Sequence, residues 1–138
     1  MAHRHKGGQF LATAISSIAN GATSLEGTDF TSREISVENV ESIAVQLVAT
    51  GADAAIAGDV TAYFVGSPQK IPGWDTFNAT SQAFDSLVLT MTTNETERHS
   101  DLINTHGLAF IKLMAVANAA GKAVSSVNVA YGRSVEIS

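Results

Sequence analysis

The chain has 138 residues, no cysteine and a net charge of −5, with 15% of its residues charged against about 25% in an average domain. That length holds one domain, which buries roughly 70% of the surface of its unfolded chain and so needs no disulfide. The missing cysteine removes the disulfide scaffold, the thiol nucleophile and every thiolate metal site. The longest apolar run, Leu108 to Ala117, is broken by Lys112 and falls short of the ~18 residues of a membrane helix, so a soluble chain with no membrane partner is expected. Ala, Ser, Thr and Gly stand where Lys and Glu usually sit. A small monomer keeps itself in solution with a charged surface, whereas the middle of an interface is poor in charge. The composition therefore points to a chain covered in part by neighbours, first of all by copies of itself.

Met1 to Gln9 comes first, a basic arm holding Arg4, Lys6, His3 and His5 and no acid; the remaining six Lys and Arg face thirteen Asp and Glu. Too little of it is apolar to fold alone. An extended arm of nine residues reaches roughly 30 Å, far enough to lay Phe10 and Leu11 on an adjacent subunit while Arg4 and Lys6 meet carboxylates. The alternative is that the arm folds back on its own acidic body. Two permanent charges give only weak nucleic-acid binding, so DNA is not expected as a partner. Phe10 to Ile18 follows. Leu11, Ile15 and Ile18 stand at helical spacing, but the segment also suits a strand ending in the Asn20-Gly21 turn.

Strand signals then dominate. Glu34 to Glu38 alternates strictly. Val40 to Thr50 puts Ile43, Val45, Leu47 and Ala49 on one face and stops at Gly51. Val60 to Val65 is β-branched and aromatic, and ends at Gly66-Ser67-Pro68. A long loop from Gly66 to Ala83 carries Trp74 and Phe77. Ser86 to Thr93 follows, then a polar stretch from Asn94 to Asn104. Leu108 to Val116 and Val124 to Tyr131 flank a turn at Asn118 to Gly121, and Arg133 to Ile137 closes the chain. Seven or eight short strands with turns between them predict a mainly β fold. The expected form is a single antiparallel sandwich, jelly-roll or immunoglobulin-like, over residues 18–138, preceded by an arm and linker over residues 1–17.

No chemistry-bearing motif is present. The histidines at 3, 5, 99 and 106 form no metal spacing, and there is no nucleophile elbow and no phosphate-cradling glycine loop. Glu95, Glu97 and Asp101 surround Arg98 without the ligand spacing of a calcium loop and read as a solvated polar edge. Catalytic residues, metal and cofactor are expected to be absent, and the chain is not expected to be an enzyme. Trp74 and Phe77 lie near Asp75 and Asn78, a mixture able to stack on a sugar; the same rings plug cores and anchor interfaces, which is the role expected here.

The order of these segments is similar to a known family. A strand like Ile43 to Thr50 leads through Gly51-Ala52 to one like Val60 to Val65. Then come Ser67-Pro68 and Trp74-Asp75-Thr76, Phe110-Ile111-Lys112-Leu113, Asn118, and Val127-Asn128-Val129-Ala130-Tyr131-Gly132. Over residues 18 to 132 this resembles the small β-sandwich virion proteins of tailed bacteriophages, capsid decoration (cement) proteins among them. The resemblance implies a homo-oligomer seated on a shell or tail. Symmetric closure of identical patches makes a trimer the expected state. The expected place is the capsid surface, against the major capsid protein or another virion protein, after synthesis in the host cytoplasm. It carries no catalytic residues. A tail or neck component and a glycan-binding module using the Trp74 loop are the alternatives.

Overall fold

The computed structural model of the chain describes residues 2–69, 74 and 83–137, with the backbone alone at 2–5 and 134–137. Among the described residues there are ten strands and no helix. One antiparallel sheet has the order β1 (Ala2–Gln9), β10 (Val124–Ile137), β5 (Ser42–Gly51), β8 (Thr96–Asn104), with β2 (Ile15–Ile18) also on β10. The other has the order β3 (Thr23–Leu25), β9 (Phe110–Ala119), β6 (Gly58–Ser67), β7 (Asp85–Met91), with β4 (Ile35–Ser36) also on β9. Segment 10–18 is thus a strand in its second half, and it ends at the expected turn, with Gly21 at φ 78°.

Pairing is nested. β2 pairs with β10, β3 and β4 with β9, β5 with β8, and β6 with β7. The chain therefore runs as one long folded-over ribbon whose pairs alternate between the sheets, which is the jelly-roll connectivity and not the immunoglobulin one. The alternation of apolar residues specifies the two inner faces. β5 buries Ile43, Val45, Leu47 and Ala49 and leaves its other side partly open, while β6 buries Val60, Ala62 and Phe64. The rings of Phe10 and Phe64 lie 5.3 Å apart and those of Phe10 and Tyr131 5.5 Å apart, so aromatic packing fills the core next to β10.

Three expectations change. Glu34 to Glu38 forms only the two-residue β4. The polar stretch after Asn94 is the nine-residue strand β8. Val124 to Tyr131 and Arg133 to Ile137 are one strand, carrying a bulge between Ser125 and Asn128 where Ser126 has φ 51°. Phe10 and Leu11 are buried in the chain's own core together with Ile15. The apolar anchor expected on a neighbour is thus spent inside the subunit, and the core begins well before residue 18. The physical reason is backbone pairing: Phe10 N–H donates to Val129 O and Arg33 N–H to Phe10 O, and Leu11 bridges to Ser32, which keeps both residues against the chain's own core.

Candidate assembly surface

β1 lies along β10 from Ala2 opposite Ile137 to Gln9 opposite Ala130, whereas β5 accompanies β10 only as far as Gly132 opposite Ala44. Residues 2–6 and 133–137 therefore make a two-stranded ribbon that runs on past the last paired residues of β10 and β5. Its root is pinned to the body. Arg33 Nη1 donates to Gln9 O at 3.3 Å, and Arg133 Nη1 donates to Ser36 O. Gly8 is packed under the Tyr131 ring, where a Cβ would lie 2.9 Å from the phenol oxygen. Lys6 is exposed on this ribbon; the side chain of Arg4 lies outside the described residues.

Trp74 rests half-buried beside the outer face of the second sheet. Its Nε1 donates to Glu34 Oε1 at 2.7 Å, and Lys112 Nζ lies 5.6 Å from the ring centroid while pairing with Glu26 at 2.9 Å. On the same sheet a small apolar cluster of Met114 and Ala115 is flanked by Leu25, Tyr63, Val65 and Ala83. The indole is thus held by a hydrogen bond and a cation and is not buried in the core. Phe77, its expected companion, lies outside the described residues.

β8 is an edge with both faces in water. Ile103 alone is buried and Glu97 is half-buried; Leu102, 67% exposed, is the most exposed large apolar residue described. Opposite β5, the polar Gln46 Nε2 donates to Ser100 Oγ and the Thr50 and Thr96 hydroxyls bond at 2.8 Å. Glu97 has a local task. Its carboxylate accepts from Thr92 Oγ1 at 2.6 Å, Thr92 N–H at 2.7 Å and Thr93 N–H at 3.3 Å, closing the turn between β7 and β8. The Thr92 hydroxyl, then the backbone amides, hold its pKa below the ordinary 4.5. Among the described residues no group of three or more His, Cys, Asp or Glu is placed to hold a metal, and no helix is long and apolar enough to cross a membrane.

The solvated polar edge expected around Arg98 is the strand β8; sequence reasoning missed its exposed Leu102, although a signal was present. Leu102 and Ile103 are adjacent, and on a strand adjacent residues point to opposite faces, so one of the two must face water.

No family model and no curated protein matches the sequence. Among solved structures the chain is similar to VP2 of infectious bursal disease virus in its subviral particle, with TM-score 0.48 and 16% identity over 97% of this chain and 33% of that one. It is also similar to the vertex protein P5 of PRD1, with TM-score 0.45 and 12% identity over 99% and 96% of the two chains. A third neighbour is the CBM22-1 xylan-binding domain of Paenibacillus barcinonensis Xyn10C, with TM-score 0.46 and 8% identity over 96% and 95%. The chain spans about a third of the length of the VP2 chain. Viral capsid proteins are thus among the neighbours, and function does not follow from likeness at this level.

Proposed function

We propose that this chain is a structural protein of a bacteriophage virion, a capsid decoration (cement) protein that seats on the shell as a homo-oligomer, a trimer, and reinforces it. The observation that carries the reading is the projecting ribbon of residues 2–6 and 133–137. A two-stranded ribbon that pairs with no third strand among the described residues is marginal in water and gains its stability from what it touches. A ribbon bearing basic residues, on an acidic body with few charges, suits docking onto a neighbouring protein surface. The strand order quoted from Ile43 to Gly132 supports the same reading, and the low share of charged residues fits a surface that neighbours cover. In this reading Arg4 and Lys6 meet carboxylates of the adjacent subunit, and the major capsid protein or another virion protein lies beneath.

The test is decoration of undecorated phage shells with purified protein, followed by sedimentation and by thermal challenge of the shells. Saturable binding that raises the temperature at which shells open supports the proposal. Binding to isolated tails or necks in place of shells moves the chain to that part of the virion, and binding to neither overturns the reading.

A further inference from the structure

We infer that β8 is a self-recognition edge, which pairs antiparallel with β8 of a second copy in a two-fold register centred on Ser100. This deepens the assembly proposal by naming a second surface, one that joins neighbouring oligomers across a two-fold axis, and it rests on that proposal for its place on a shell.

The argument starts from peptide direction. Gly51 N–H donates to Glu95 O and Thr105 N–H donates to Glu41 O, at the two ends of the β5–β8 ladder. Both pairs fall in the register that sets Ile43 opposite Ile103. Hydrogen-bonded pairs recur every second residue, so Glu97, His99, Asp101 and Ile103 turn their peptide groups toward β5. Thr96, Arg98, Ser100, Leu102 and Asn104 turn theirs outward. Among the described residues β8 has a strand on one side only, and the outward amide of Leu102 is met by the carboxylate of its own neighbour Asp101 at 2.8 Å. Outward peptide groups of this kind are a template for another strand.

Charged residues on an edge usually discourage such pairing; here they select its register. A two-fold axis normal to the sheet brings residues of the same face together. Centred on His99, it would set Glu97 against Asp101. Centred on Asp101, it would oppose two aspartates, and centred on Arg98, two arginines. Ser100 is the midpoint of Thr96–Asn104, so the register centred there overlaps the whole strand and opposes no like charges. His99 of each copy then lies opposite Asp101 of the other on one face. On the other face Arg98 lies opposite Leu102, whose exposed side chain the arginine stem covers. The outward groups of Arg98 and Leu102 meet each other, and Ser100 meets itself. Asp101 releases the Leu102 amide to the second copy and takes a hydrogen bond from His99.

The cysteine-free chain permits a direct test. In a hydrogen-bonded pair the facing Cα atoms lie about 5.5 Å apart, within disulfide reach. The full-length Ser100→Cys variant, mildly oxidised, is expected to give a covalent dimer of the 14.4 kDa chain. Thr96→Cys is the control, because its two copies lie roughly 27 Å apart in this register. Adding Asp101→Lys to Ser100→Cys should slow linking roughly tenfold, since two matched pairs are lost at once, and adding His99→Glu as well should restore it. Melting temperatures close to the parent chain certify that each variant is folded. Linking of Ser100→Cys no faster than that of Thr96→Cys, or a rate that ignores Asp101→Lys, overturns the inference. Shell binding is read separately. If the chain binds shells while Ser100→Cys stays unlinked, the pairing fails and the virion reading stands. If it links but binds no virion part, the pairing stands without its proposed setting.

Discussion

At the scale of single residues, three positions shape the turns and strand ends of the jelly roll. Asn118 is buried, its Nδ2 donates to Ile18 O at 3.0 Å and Lys122 O at 2.9 Å, and its Oδ1 accepts from Ala120 N–H at 3.0 Å. One amide thus ties the end of β2 to the β9–β10 turn. Asn118→Ala strands these buried partners and should cost about 2–4 kcal/mol in urea unfolding. Gly58 has φ 146°, and a Cβ there would lie 2.6 Å from Ala119 O, a backbone atom that cannot swing aside. Gly58→Ala combines a disallowed conformation with overpacking and should lower stability by about 2–4 kcal/mol by the same measurement. Glu97 gives a pH signature. Its folded pKa is lowered, first by the Thr92 hydroxyl. Its contribution to stability is therefore complete above the ordinary value of 4.5 and is lost as the pH falls through the lowered folded value. Between pH 7 and pH 3 the urea midpoint of Glu97→Gln should fall less than that of the parent chain, and equal falls would remove Glu97 from this role.

At the scale of elements, strands with one dry face were legible and strands without one were not. β5 and β6 stand where Val40 to Thr50 and Val60 to Val65 alternate, because each buries every second side chain. β8 was read as a polar stretch because an edge strand wet on both faces has no hydrophobic period to read. The Trp74 loop offers an element-scale prediction. With its indole N–H on Glu34 and Lys112 beside the ring, Trp74→Ala should cost about 1–2 kcal/mol, less than a core truncation. If the variant keeps full stability and loses binding to a defined glycan, the loop is a sugar platform and the assembly role passes elsewhere.

At the scale of the whole molecule, the projecting ribbon is the part that the core does not need. Deleting residues 2–6 keeps Gly8 under Tyr131 and Phe10 in the core. The melting temperature should therefore move by less than about 4 °C, while occupancy on shells falls. If calorimetry instead shows a much lower transition, the ribbon belongs to the subunit's own stability; unchanged occupancy would remove it as the tether.

Mainly-β class, the approximate strand number, the missing catalytic motif and the segregated charge were all determined by sequence alone, since each depends on composition or on a local period. Jelly-roll over immunoglobulin order, the core position of Phe10 and Leu11, and the bare edge at β8 were decided only in three dimensions. Each turns on which distant strand lies alongside, as when Val129 meets Phe10 or Ile43 meets Ile103. A residue's period says that it has an inner face and never which partner covers it. The same limit explains Ser100: its central place on the edge proposed to pair with itself exists only once β5 has taken one side of β8 and left the other, among the described residues, without a strand.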